Sequence, residues 1–237
     1  MNAPALRATG LVKFFGPVEV IRGVDASFDM QRRHLVIGPN GAGKTTFFNL
    51  LNGQIGPSAG KVEFLGEDVT ALSVRDRARR GLGRTFQIAS LFQELSVLDN
   101  LLIAAGAPAR GGGRAPRDIA QEALEASGLA ARAHQPVRAL SYGEQRRLEI
   151  AMSLATAPKL LLLDEPMAGL TQDERRALAT RIRELSRTTG IIMIEHDLDI
   201  ALELAETLTV LHLGEIAASG GVDEVMRDPF VREIYLG

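Results

Sequence analysis

Nine consecutive residues of this chain, GPNGAGKTT, have the types and spacing to hold a phosphate. The run Gly38, Pro39, Asn40, Gly41, Ala42, Gly43, Lys44, Thr45 and Thr46 satisfies G-x-x-x-x-G-K-[ST]. Its glycines let the backbone wrap closely, so that successive N–H groups point at phosphate oxygens. Lys44 can then reach the β and γ groups, and Thr45 can ligate Mg²⁺. A second stretch, LLLLDEP, delivers Asp164 and Glu165 at the end of an apolar run. Asp164 is placed for the outer shell of a magnesium ion and Glu165 for the attacking water, as general base or orienting group.

Three further features gain meaning only beside these two. His196 follows the apolar run IIMIE and Gln87 closes GRTFQ; each is unremarkable alone, although an uncharged amide can touch Mg²⁺ and its water without locking them. In LSYGEQ, Ser141 is placed to cap a helix, with Tyr142 and Gly143 leaving backbone N–H groups accessible. Such an end attracts an anion, yet the chain already has its phosphate loop far upstream.

These residues need strands and helices to hold them. HLVIGPNGAGKTTFFNLLNG passes from a short strand through the glycine turn into a helix that Gly53 can end. KLLLLDEP and GIIMIEHD are buried-strand patterns ending in carboxylates, each followed by an amphipathic helical stretch. Alternating strands and helices predict a mainly parallel α/β core. Residues 6–28, broken by Gly16-Pro17 and Gly23, read as paired antiparallel strands in front of it. Residues 91–157 show helical patterns and no convincing strand, so they read as a helical subdomain inserted between core segments of about 1–90 and 158–237. Within it GAPARGGGRAPRD reads as a loop. In the tail, from residue 207 on, TLTVLHL and EIAASG read as strands, with a short helix before REIYLG.

Composition limits the alternatives. A chain of 237 residues with 46% hydrophobic content buries a substantial core as one domain. Its formal charge of −2 gives no broad basic field for nucleic acid. With no cysteine and four scattered histidines, disulfide frameworks and thiolate or zinc sites are not expected, and a reducing cytoplasm fits. The N-terminus lacks the pattern of a secretion signal and no run is long enough to span a bilayer, so any membrane role comes through a partner.

Taken in order, the phosphate loop, Gln87, LSYGEQ, LLLLDE, AGLT at Ala168 to Thr171 and His196 resemble an ABC ATPase, the nucleotide-binding subunit of an ABC transporter, over essentially the whole chain. The resemblance implies a P-loop NTPase core of ABC type, ATP and Mg²⁺ as ligands, and two cassettes facing head to tail. Ser141 and the Gly143 N–H would then act on the ATP of a partner cassette, a second copy or a homologous subunit. Glu165 matches the catalytic carboxylate, His196 the γ-phosphate contact, Asp164 the metal-associated acid and Gln87 the residue that couples magnesium to the membrane subunit. Phe15 matches the aromatic that stacks on adenine, with adjacent Phe14 the other candidate; either could instead pack in a strand.

Tyr142 and Glu144 replace a Gly and a Gln of the commonest signature, and Thr171 stands where many relatives have Asp. GLGRTFQIASLFQELSVLDNLLIA, YGEQRRLEIA and IIMIEHDLDIAL resemble the branch that imports branched-chain and other hydrophobic amino acids. Urea or amide importers and the lipopolysaccharide-export ATPase are neighbouring branches. The segment from Ala104 to Gln121 looks shorter than in relatives. The resemblance further implies two transmembrane permease subunits, an extracytoplasmic solute-binding protein and a peripheral position on the inner face of the membrane. A soluble non-transport ABC ATPase is the reading from another class. A P-loop kinase or GTPase would leave Ser141, Gly143 and His196 unused.

Overall fold

The computed structural model describes residues 4–30, 32–85, 91–106, 114–185, 188–196 and 198–236. The chain begins with the hairpin β1 (Leu6–Phe15) and β2 (Val18–Phe28), and continues through β3 (Arg33–Ile37) into α1 (Lys44–Asn52). β4 (Ala59–Phe64), β5 (Glu67–Asp68), α2 (Val74–Arg80) and β6 (Leu82–Arg84) follow. The middle of the chain is helical: α3 (Val97–Gly106), α4 (Pro116–Ala126) and α5 (Tyr142–Ala155). Then come β7 (Leu160–Asp164), α6 (Gln172–Leu185), β8 (Gly190–Ile194), α7 (Leu198–Leu204), β9 (Thr207–His212) and β10 (Glu215–Gly221). α8 (Val222–Val225) and α9 (Pro229–Leu236) close the fold.

Among the described residues the strands form two sheets. The smaller is antiparallel, in the order β2-β1-β4-β5. The larger runs β10-β9-β3-β8-β7-β6, with all neighbours parallel except the antiparallel edge strand β10. Both of its faces are covered, which is why β7 and β8 read as unbroken apolar runs. Leu160, Leu162, Ile192 and Ile194 join the core shared with α1 and the antiparallel sheet. Leu161, Leu163, Ile191 and Met193 join the opposite core, beneath α6 and α7. With a side-chain period of two, Asp164 falls on the α1 side.

α1 is anchored by Phe47, Phe48, Leu50 and Leu51, all fully buried. Burial of each contributes roughly 1.5–3 kcal/mol, so the helix that begins at the phosphate loop is rigidly seated. The expected stop at Gly53 is present, with φ 82°. A third core joins α3, α4 and α5 through Val97, Leu101, Ala120, Leu124, Leu148 and Ala151, and this is the helical subdomain. The stretch read as a loop is shorter at its C-terminal end than expected. Pro116 already opens α4, because its fixed φ and missing N–H suit a first helical turn. Among the described residues no helix is long and apolar enough to cross a membrane.

Candidate functional site

The phosphate loop joins the carboxyl end of β3 to α1, between neighbours β8 and β9. At its end Gly43 has φ 100°, and a Cβ there would lie 2.9 Å from Ile21 Cδ1 of β2. Only glycine therefore allows the loop to turn tightly against the antiparallel hairpin. α1 starts without a side-chain cap and without an acid in its first turn, so its N–H groups face no competing anion of their own helix. Lys44, 6% exposed, folds back to donate to Gly38 O at 2.6 Å and Pro39 O at 3.0 Å. Burial lowers the pKa of its ammonium, opposed by the nearby charges of Glu165 and Asp164. Thr45 is exposed and Thr46 half-buried.

The acid pair lies at the end of β7. Asp164 is fully buried; its Oδ2 accepts from Arg84 Nη2 at 2.8 Å, while Oδ1 has no hydrogen-bond partner among the described residues. Glu165 leaves the strand with φ 47°, a left-handed conformation that costs a non-glycine residue about 1–2 kcal/mol. Its Oε1 lies 2.8 Å from Nε2 of His196, beyond the end of β8. The structure thus brings Asp164, Glu165, His196 and Lys44 into one neighbourhood. Gln87 lies outside the described residues.

Phe14 and Phe15 both end β1 at the hairpin tip, 46% and 48% exposed, and the Lys13 ammonium sits 5.3 Å from the Phe15 ring centroid. About half of each side chain is therefore open to a planar ligand.

At the start of α5 the sequence expectation is half met. Ser141 Oγ accepts from Glu144 N at 3.2 Å, and the Glu144 carboxylate accepts from Ser141 N at 2.8 Å, closing a capping box. The backbone hydrogen bond from Ser141, more than nearby Arg132, holds Glu144 below its ordinary pKa. Gly143, however, is not accessible. It is buried, and Glu174 Oε1 stands 2.1 Å from where a Cβ would be. Thr171 draws that carboxylate there by donating its N–H and Oγ to Glu174 Oε2, each at 2.9 Å.

Sequence reasoning missed three side chains. Arg84 pairs with Asp164. Arg146, 5% exposed on α5, donates to the carbonyls of Asp164, Glu165 and Pro166. Glu195, 3% exposed, accepts from Met167 N at 2.8 Å. Burial pushes its carboxyl up to about 7, opposed by hydrogen bonds from the backbone of Met167 and His196. An arginine directly after LSYGEQ, or a glutamate before the histidine, carries no local signal of such partners.

A glycine-wrapped loop on a parallel sheet, an acid pair two strands away and an inserted helical subdomain define a nucleotide-binding cassette. Comparison with known proteins specifies it: residues 21–168 match the family model described as ABC transporter, and the chain belongs to that family. It is an ABC-type ATPase. It is 36% identical to the high-affinity branched-chain amino acid transport ATP-binding protein BraF of Pseudomonas aeruginosa, over 100% of this chain and 99% of that one. LivG of Escherichia coli K12, with the same description, gives 36% over the same shares. The lipopolysaccharide export system ATP-binding protein LptB of Acidithiobacillus ferridurans is 35% identical, over 98% of this chain and 96% of that one. Among solved structures, the ADP conformation of an ATP-binding cassette of an ABC transporter superposes with a TM-score of 0.89 at 31% identity, covering 100% of both chains.

Proposed function

We propose that this chain binds and hydrolyses ATP to drive the uptake of branched-chain or other hydrophobic amino acids. The chemistry is carried by one observation: Glu165 meets His196 at 2.8 Å on the turn whose charges act on Lys44. The cargo assignment is supported by full-length similarity to BraF and LivG.

The residues fit a magnesium ion. A buried, unpartnered Asp164 oxygen lies on the α1 side of the sheet, and Thr45 sits at the start of α1. Thr45, Gln87 and Asp164, the last through water, would hold the ion, which when bound neutralises charge between the β- and γ-phosphates. The remaining work belongs to the chain. N–H groups along Gly38, Asn40, Gly41, Ala42, Gly43 and the start of α1 hold phosphate oxygens. Pro39 and Thr46 complete the loop, and Lys44 exchanges its carbonyl partners for the β and γ groups. Glu165 accepts a proton from the attacking water, His196 contacts the γ-phosphate and Phe15 stacks on adenine.

Ser141 and Gly143 address the ATP of a second cassette, which requires Glu174 to turn away from Gly143. Two permease subunits would dock on the helical subdomain and hold the chain on the inner face of the membrane, with an extracytoplasmic protein supplying the solute. A second reading, lipopolysaccharide export, is favoured by the similarity to LptB. A deletion strain complemented with wild-type or Glu165→Gln chain separates them. Radiolabelled leucine uptake should depend on the wild-type chain; intact uptake with failed lipopolysaccharide export would overturn the amino acid assignment.

A further inference from the structure

We infer that Arg146 is a positioning residue for Glu165, holding the turn that aims its carboxylate; this rests on the reading of Glu165 as the group that acts on water. One planar guanidinium on α5 engages three successive carbonyls. Nε donates to Pro166 O at 3.2 Å, and Nη2 donates to Asp164 O at 2.8 Å and Glu165 O at 2.9 Å. The remaining nitrogen, Nη1, meets Glu149 Oε2 at 2.5 Å, one helical turn further along α5, so the buried cation has its counter-charge on the helix that carries it.

The rest of the turn is held from the other side. Glu165 N donates to Ile194 O at 3.0 Å, and Glu195 Oε1 takes the N–H of Met167. This turn must be held, because Glu165 sits at φ 47°, where its own backbone preference would move it away. Released, the residue relaxes toward a commoner conformation and its carboxylate leaves the vicinity of His196. The fork geometry is specific to arginine: a lysine ammonium preserves the charge beside Glu149 and cannot span three carbonyls arranged around a plane.

Arg146→Lys is therefore the informative variant, since it keeps the buried ion pair and with it the fold. In the full chain with ATP and Mg²⁺, kcat should fall on the order of 10²-fold, the loss that a misplacement of about 1 Å brings. Nucleotide affinity should stay within about twofold, because the phosphate loop is untouched. The decisive arm places the same change in a Glu165→Gln background. There the residual rate should not fall further, because the group being aimed has already lost its function. A wild-type kcat for Arg146→Lys overturns the inference, as does an equal fold-loss in the Glu165→Gln background. A rate unaffected by Glu165→Gln alone would overturn the reading of Glu165 itself, and the positioning role with it.

Discussion

Lys44 braces the loop it serves, donating to two of the loop's own carbonyls while buried beside two carboxylates. Lys44→Ala removes the brace and the charge that spans the β and γ groups, so ATP binding should be lost; near-normal affinity in a fluorescent-nucleotide titration would contradict this. At the hairpin tip, Phe15→Ala should weaken nucleotide binding by about 1–3 kcal/mol, and Phe14→Ala by less. The reverse order would make Phe14 the stacking ring. Glu195 has a pH signature. Burial raises its pKa from 4.5 to about 7, so the folded chain holds this proton more tightly than the unfolded chain. Its contribution to stability is fully present below about 4.5 and is lost as pH rises through about 7, a difference of roughly 3 kcal/mol. Glu195→Gln keeps an acceptor for Met167 N and abolishes the titration. Urea midpoints should show it more stable than wild type at pH 8 and equal at pH 4; an equal effect at both would exclude the cause given.

At the scale of elements, α1 is held at both ends. Beyond its C-terminus, fully buried Arg77 of α2 donates through Nη1 to Leu50 O and Leu51 O at 2.8 and 2.7 Å, and through Nη2 to Thr70 O at 2.9 Å. Desolvation lowers its pKa to about 10, so it remains charged near neutrality. Arg77→Leu removes the side-chain donor from these helix-end carbonyls, leaving Leu50 O, among the described residues, only the Gly53 N–H at 3.3 Å, and should cost on the order of 3 kcal/mol, read as a lower denaturant midpoint with unchanged slope. A loss under about 0.5 kcal/mol would mean that water replaces the donor. The elements bearing β3, α1, β7 and β8 were legible because burial on both faces writes continuous apolar runs, and because strand, glycine loop and helix are contiguous in the chain. β4, β5 and β6 are short or mostly exposed and leave no such pattern. Arg84 finds Asp164 across 80 residues, and Glu174 finds Gly143 only after α6 is laid beside α5. Partner choice of this kind depends on packing, so the phosphate loop and acid pair could be read in advance while their supports could not.

For the whole molecule, the proposed closure on a second cassette would bring the α5 end of one chain to the phosphate loop of the other. Glu165→Gln keeps the side chain's shape and removes its basicity, so an ATP-bound dimer should accumulate. Ser141→Arg added to the same chain should prevent it, since a long side chain then blocks the approach of the α5 end to the partner's phosphate. Size-exclusion chromatography with ATP and Mg²⁺, with and without a homologous subunit, compares the two; no dimer from Glu165→Gln in either setting, with ATP bound, would count against the head-to-tail arrangement. Ser141 makes its hydrogen bonds within its own capping box, while the phosphate loop is braced by Lys44 and backed by β2, so each end can fail without the other. That independence has a consequence in genetics. A Lys44→Ala allele spoils its own phosphate loop and keeps a sound α5 end; a Ser141→Ala allele, which removes the cap without adding bulk that would hold the pair open, does the reverse. In a mixed pair, one composite site collects both defects and the other collects none. Two alleles that each abolish transport should therefore complement one another when co-expressed, provided that the chain pairs with its own copy, and failure to complement would assign it a different subunit as its mate.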